Sequence, residues 1–159
     1  ICEKKIGVDP YSGGTHRMTS DDFFKKNIET FDCIFIDGLH HYSQVIKDIN
    51  NALKVLNSNG VILIHDCLPN NLTDQLVPRM TLNWNGDVWK ALVECRTKSN
   101  LDCYTCYADW GIGVIFKRKN SNLLTIEQKN FKKLKYNFFF NNYKKLMNII
   151  EFDDLLKKF

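Results

Sequence analysis

Two apolar runs that each end in an acid constrain the fold of this 159-residue chain more than any other feature. The first run is Cys-Ile-Phe-Ile-Asp at 33–37, and the second is Val-Ile-Leu-Ile-His-Asp at 61–66. Such short, continuous apolar runs predict strands that are buried on both faces, as in a parallel sheet. Between them, an apolar stripe at spacings of three and four predicts a helix, which the polar residues 57–60 should end. The stripe consists of Tyr42, Val45, Ile46, Ile49, Leu53 and Leu56.

The flanking segments extend this strand–helix–strand pattern into an α/β fold. Residues 4–8 are predicted as a strand that ends at Asp9, and Thr19 or Ser20 can cap a short helix over 21–27 because a hydroxyl there accepts unpaired amide hydrogens. Further along, Asp87 is expected to cap a helix that carries Val88, Ala91, Leu92 and Cys95.

The last part of the chain predicts a strand pair followed by helices. Residues 103–107 and 111–117 are strand-like and lie on either side of a tight turn, which favours antiparallel pairing. Residues 124–158 read as a helical region with a break. We therefore expect one domain with a core over 1–119 and a C-terminal helical region over 120–159.

Charge is distributed unevenly along the chain. Residues 117–159 hold 11 Lys or Arg against 4 acids, a net +7, whereas residues 1–116 carry −3. A basic tail can bind nucleic acid, but these lysines alternate with Phe, Leu and Ile at helical spacing, so we expect a packed helix and no nucleic-acid partner. Apolar residues make up 44% of the chain without any run of about 18, which excludes a membrane span.

The six cysteines, at 2, 33, 67, 95, 103 and 106, show no spacing typical of a disulfide framework. Cys103 and Cys106 form a C-x-x-C sequence, but within a strand residues three apart point to opposite faces, so they are not expected to bind a metal together. Buried, reduced thiols in a cytoplasmic protein are the favoured interpretation.

Three predicted strands end in an acid: Asp9, Asp37 and Asp66. In open α/β sheets, ligands bind outside the carboxyl ends of the strands. Asp37 and Asp66 could share a divalent cation, since carboxylate oxygens suit a hard ion such as Mg²⁺. His40 follows Asp37 closely enough to act as a base. His65 should point away from Asp66 along its strand, and we expect it and His41 to be structural.

These motifs together resemble class I S-adenosylmethionine-dependent methyltransferases, and more closely the small bacterial group related to sugar and macrolide O-methyltransferases. The resemblance covers about residues 4–117. It is carried by Ile6–Pro10 with the following Ser12–Ser20, by Phe31–Tyr42 with Asp48, by Gly60–Asp66, and by Asp109-Trp110-Gly111 with Gly113.

The resemblance implies a Rossmann-like fold and a role for each matching residue. Asp9 would accept hydrogen bonds from the ribose hydroxyls of the cofactor, and Ser20 would lie near its adenine. Asp37 and His40 would face the methyl-transfer centre, Asp37 also touching the cofactor, while Asp37 and Asp66 would hold Mg²⁺. The reaction implied is methyl transfer to a hydroxyl of a sugar or small metabolite. We expect Trp84, Trp89 and Trp110 to shape the acceptor pocket.

One family feature has no counterpart here. The first family strand and its Gly-rich loop are absent, since Gly13-Gly14 follows the strand that carries Asp9. We therefore expect a chain truncated at its front, inactive as a fragment, in which an unpaired strand flank favours homo-oligomers. The alternatives are natural loss of the loop, a non-catalytic nucleotide-binding or scaffold domain, and a dehydrogenase, since fold alone does not settle function.

Overall fold

In the described part of the chain, five strands form one mixed sheet in the order β1-β2-β4-β3-β5. The computed structural model describes residues 4–159. The parallel pairs are β1 with β2 and β3 with β5, while β4 runs antiparallel to both β2 and β3. Four strands thus share one direction, and the predicted α/β fold with a late antiparallel pair is confirmed. The strands are β1 (Phe31–Ile36), β2 (Leu56–Ile64), β3 (Asp102–Cys106), β4 (Ile112–Phe116) and β5 (Ile149–Ile150).

Five α-helices and one 3₁₀ turn accompany the sheet in the described part of the chain. Thr19 caps the first helix, where its hydroxyl accepts from the Asp22 amide. No helix among residues 4–159 has the length and apolar character that a membrane crossing requires. The helices are α1 (Ser20–Lys26), α2 (Tyr42–Val55), α3 (Trp89–Arg96), α4 (Tyr136–Met147) and α5 (Phe152–Leu156), with the 3₁₀ turn at Phe131–Lys133.

The predicted strand over 4–8 is wrong. These residues make one isolated bridge, between Val8 and His16, because the segment folds back on the loop that follows it. The amides of Thr15 and His16 both donate to the Gly7 carbonyl. A Cβ on Gly7 would lie 2.8 Å from the Gly14 Cα, so this close approach requires a glycine. A local loop therefore takes up the backbone groups that a sheet pairing would need. The first three residues, Cys2 among them, lie outside the described chain.

The polar residues 57–60 belong to a strand and not to a helix end. Helix α2 ends at Val55, and β2 begins at the next residue, Leu56, which was predicted as part of the helix. The register with β1 shifts between Phe31 and Cys33, so these polar residues form an irregular start of β2.

The core packs on both faces of the sheet. Cys103 belongs to the larger cluster, with α2, α3 and α4, whereas Cys106 belongs to a smaller cluster on the other face with Leu155 of α5. The prediction that these two thiols point apart is therefore confirmed. The 149–150 strand was not foreseen, and it extends the sheet at β3.

The basic C-terminal region packs against α3. The rings of Trp89 and Phe139 lie 4.7 Å apart, and both side chains are buried. Trp89 was expected to line the acceptor pocket, which is wrong, because its side chain is fully buried in this core. Arg96 donates to the carbonyls of Lys145 and Leu146 at the end of α4, where a cation is favoured by the helix dipole.

Asp87 caps a different helix from the one predicted. Its carboxylate accepts from the Tyr42 amide at 2.6 Å and from the Lys90 ammonium at 3.1 Å. Tyr42 is the first residue of α2, so Asp87 caps α2 and not α3. Asp87 and Lys90 are both buried, which makes this a buried ion pair that joins the starts of two helices.

We expect Asp87→Ala to lower the free energy of unfolding by about 3 kcal/mol, because it removes a cap and leaves a buried ammonium without its carboxylate. Urea denaturation followed by circular dichroism measures this. Asp154→Ala is the matched control, since Asp154 also pairs with a lysine three residues on but is exposed. An equal denaturation midpoint for both variants would contradict the structural role of Asp87.

Candidate active site at the ends of the parallel strands

The parallel pairing of β1 and β2 places two acids at one edge of the sheet. Ile36 pairs with Ile64, so Asp37 and residues 65–66 follow at the same level. The His65 amide donates to the Ile36 carbonyl at 3.0 Å and continues the ladder one residue beyond β2. Asp37 and Asp66 therefore lie at the same edge of the sheet, as predicted.

A left-handed backbone at Asp66 changes the direction of the chain at the strand end. Its φ is +62°, a conformation that Asp and Asn adopt more readily than most residues. The alternation of a strand stops there, so the side chains of His65 and Asp66 come together, with His65 Nδ1 3.1 Å from Asp66 Oδ2. The expectation that His65 points away from Asp66 is wrong for this reason.

Two imidazoles lie between the two carboxylates. His40 Nε2 is 3.4 Å from Asp37 Oδ1 and 3.4 Å from Asp66 Oδ2. His65 Nδ1 is 3.4 Å from Asp37 Oδ1, and its Nε2 is 3.1 Å from Asp109 Oδ2. We call Asp37, His40, His65 and Asp66 the strand-end cluster.

The strand-end cluster shifts the pKa of each of its members. Burial opposes charge on His40, but its contact with Asp37, its bond to the Trp84 carbonyl and the charge of Asp66 raise its pKa. The pKa of His65 is raised for a similar reason: burial opposes its charge, and the carboxylates of Asp66, Asp37 and Asp109 outweigh burial. The two imidazoles are therefore held toward their charged forms.

The two carboxylates differ because they are buried to different extents. Contact with His40 lowers the pKa of Asp37, whose side chain is 43% exposed. Burial raises the pKa of Asp66, whose side chain is 10% exposed, against the nearby charges of His40 and His65.

A divalent cation would fit this donor set. One ligand atom from each of Asp37, His40 and Asp66 lies within 4.8 Å of the other two. Two carboxylates suit Mg²⁺, which binds proteins through one or two carboxylates and keeps several waters. Among the described residues, no other group of three or more His, Cys, Asp or Glu side chains is spaced closely enough to hold a metal ion.

The other residues predicted for the site form their described hydrogen bonds with residues outside the strand-end cluster. Asp9 Oδ1 accepts from the amides of Tyr11 and Ser12, each at 2.6 Å, within a loop. Ser20 begins α1, and its hydroxyl accepts from the Gln44 side chain at 3.3 Å. Neither residue makes a described bond to the strand-end cluster. His41 precedes α2 and meets the Trp84 ring edge-on.

Three residues of the site were not assigned a role from the sequence. Besides His65, they are Asn85, whose amide donates to Asp66 at 2.7 Å, and Asp109, from the turn before β4. Asp109 and Trp110 both have positive φ, and no pattern in the sequence predicts this backbone conformation for them. Trp84 was expected near the acceptor, and its carbonyl bonds to His40 at 2.8 Å.

Without metal, we expect the free energy of unfolding to fall as the pH rises above about 6.5. The folded chain holds protons on His40 and His65 more tightly than the unfolded chain, so this stabilisation is present at lower pH and is lost as each raised pKa is passed. Urea denaturation across pH 6–8 measures the slope, since the buried thiols, whose pKa values are raised by burial, contribute only at higher pH. His40→Gln should reduce the slope, and His40→Gln with His65→Gln should reduce it further. An unchanged slope in the double variant would contradict the pairing.

Comparison with known proteins gives one family match. Residues 8–67, from the end of the predicted first strand through β1, α2 and β2, match the model of a methyltransferase domain. The match therefore includes every member of the strand-end cluster. No curated protein gives a significant match to the chain.

A solved structure is also similar to part of the chain. It is the crystal structure of the SAH-bound Podospora anserina methyltransferase PaMTH1, with 19% sequence identity and a TM-score of 0.48. The similarity covers 63% of this chain and 46% of that one, so the chain spans less than half the length of that protein. Over residues 8–67, the chain is therefore similar to methyltransferase domains.

Proposed function

We propose that the methyltransferase domain of which residues 8–67 form part transfers a methyl group from S-adenosylmethionine to a hydroxyl of a sugar or small metabolite. The observation that supports the proposal is the strand-end cluster, because an imidazole and two carboxylates lie close together within the family-matched segment. The cofactor supplies an electrophilic methyl group on its sulfonium. The protein must then align the acceptor oxygen and remove its proton.

His40 is the proposed base. Its Nε2 faces the two carboxylates, and its position between Asp37 and Asp66 gives a proton taken from the acceptor a stabilised site. Asp37 is the more exposed of the two acids, and its lowered pKa keeps it charged at neutral pH. Asp37 therefore also suits a contact with the positively charged cofactor.

Asp37 and Asp66 would hold Mg²⁺ in this proposal. The ion would lower the pKa of an acceptor hydroxyl bound beside it. The carboxylate oxygens supply the hard ligands that such an ion prefers, and the partial exposure of Asp37 leaves room for an acceptor.

Asp9 is proposed to bind the ribose of the cofactor. Its two described backbone bonds both go to Oδ1, which leaves Oδ2 to accept from a hydroxyl. Those bonds to Ser12 and Tyr11 also lower the pKa of Asp9, so the carboxylate is charged. We keep Ser20 as a candidate adenine contact at the start of α1.

The proposed setting is the cytoplasm, since the buried free thiols Cys67, Cys95, Cys103 and Cys106 suit a reducing compartment.

Self-association is proposed through β1, which forms one edge of the sheet and leaves Phe35 55% exposed. The packing of Phe139, Leu146 and Met147 in α4 supports a structural use of the basic tail instead of nucleic-acid binding.

We expect Asp37→Asn and Asp66→Asn each to lower the rate of methyl transfer about 100-fold or more, because each removes a charge that binds the ion and stabilises the protonated base. A chelator should lower the wild-type rate in the same way. The assay follows S-adenosylhomocysteine formation over a panel of sugar and metabolite hydroxyls.

Asp32→Asn is the matched control for these variants. Asp32 lies in β1, exposed, and its carboxylate bonds to Asn57 away from the strand-end cluster. Turnover that survives in both site variants would overturn the proposed chemistry. Cofactor binding without turnover on any acceptor would favour a non-catalytic binding domain.

We expect Asp9→Asn to weaken S-adenosylmethionine binding roughly tenfold, since a charged acceptor is replaced by a neutral one. Isothermal titration calorimetry measures this affinity. Asp22→Asn, in the exposed first turn of α1, is the control and should bind as the wild type does. Equal affinities for Asp9→Asn and the wild type would remove Asp9 from the cofactor site.

A further inference from the structure

The segment Trp84–Gly86 contacts the strand-end cluster at two functional groups. The Trp84 carbonyl lies 2.8 Å from His40 Nδ1, and the Trp84 ring stacks on the His40 ring at 5.1 Å and 22°. A carbonyl oxygen only accepts hydrogen bonds, so Nδ1 must carry the hydrogen. In the neutral ring, Nε2 is then the nitrogen with the lone pair, and it is the atom that faces Asp37 and Asp66.

Asn85 holds the second group. Its side-chain Nδ2 donates to Asp66 Oδ1 at 2.7 Å, while the other oxygen, Oδ2, is the one that approaches His40 and His65. Asn85 is 1% exposed. One oxygen of Asp66 is thus fixed by a buried amide, which sets the direction of the other.

The opposite end of the Asn85 amide is unsatisfied. Its Oδ1 is buried and has no hydrogen-bond partner among the residues that the structure describes. A buried acceptor without a partner is destabilising, so stability alone does not account for an asparagine here. The bond from Nδ2 to Asp66 is the feature of this residue that serves the site.

Contacts on the far side hold the segment in place. The amides of Asn85 and Gly86 both donate to the Asp74 carbonyl, at 2.9 and 3.0 Å. Trp84 Nε1 donates to the Leu76 carbonyl at 2.6 Å. Gly86 has a φ of +61°, and a Cβ there would lie 1.9 Å from the His40 carbonyl oxygen, so the backbone passes against His40 without room for a side chain.

We propose that Trp84–Gly86 is a positioning segment, in which the Trp84 carbonyl fixes His40 as the Nδ1–H tautomer and Asn85 orients Asp66. The proton-accepting atom of the site is therefore His40 Nε2. The inference rests on the proposed function for its catalytic meaning, but the tautomer itself can be measured without turnover. None of the three residues transfers a proton or binds the methyl group.

The tautomer is tested by ¹⁵N NMR of the whole chain at a pH where the imidazoles are neutral. His40→Gln assigns the His40 signals among the four histidines. We expect a protonated Nδ1 and an unprotonated Nε2, the reverse of the form that histidine prefers in water. A His40 ring protonated on Nε2 would overturn the proposal, and this wild-type measurement depends on no variant.

Two glycine variants separate the contact from backbone strain. Gly86→Ala should displace His40 and mix the two tautomers. Gly13→Ala is the matched control, because its φ is +63° and nothing lies within 4 Å of the added Cβ. An unmixed Nδ1–H tautomer in a folded Gly86→Ala variant would contradict the role of this contact.

Kinetics test Asn85. Asn85→Ala should lower kcat about 10- to 100-fold and leave KM near the wild-type value, whereas Asn83→Ala, an exposed neighbour, should change neither. An unchanged kcat in Asn85→Ala would overturn the positioning of Asp66. An Nδ1–H tautomer in a chain without turnover would instead contradict the proposed function and leave the tautomer assignment intact.

Discussion

The parallel pairing of β1 with β2 is the constraint on which the rest of the site depends. It brings Asp37 and Asp66 to one edge of the sheet, where two negative charges would repel each other. The imidazoles of His40 and His65 lie between them and offset that repulsion. The end of the strand pair can therefore hold a proton or a cation between these carboxylates.

Separate parts of the chain hold this arrangement. Asp87 caps α2 and accepts from Lys90, so the helix that begins after His40 is tied to α3. The backbone amide of Asp87 also donates to the His40 carbonyl at 3.1 Å, so Asp87 is bonded directly to a member of the strand-end cluster. The α2–α3 packing and the geometry of the strand-end cluster are therefore not independent, because one short segment contributes to both.

Sequence patterns predicted the parts of this molecule that follow from local periodicity. The apolar runs gave β1 and β2 with their terminal acids, and the three-and-four spacing gave α2. The hydroxyls of Thr19 and Ser20 predicted a cap for α1, and Thr19 is the residue that provides it. Each of these depends on residues close together in the chain, for which spacing is informative.

Contacts between distant residues could not be predicted in this way. Asp87 has two helices within reach, and only the tertiary structure shows that it caps the earlier one. The direction of His65 depends on a left-handed backbone at Asp66, which the alternation rule for strands does not include. The predicted strand over residues 4–8 is wrong for the same reason, since the close approach of Gly7 and Gly14 takes the place of pairing in the sheet.

The reversed direction of β4 has a consequence for how such a site can diversify. Because β4 starts where β2 ends, with Gly113 opposite Ile64, the hairpin turn that holds Asp109 lies beside the strand-end cluster. A turn between antiparallel strands accepts changes in length and sequence more readily than a buried parallel strand does. The residues beside the strand-end cluster can therefore change at this rim while the acids of β1 and β2 keep their places.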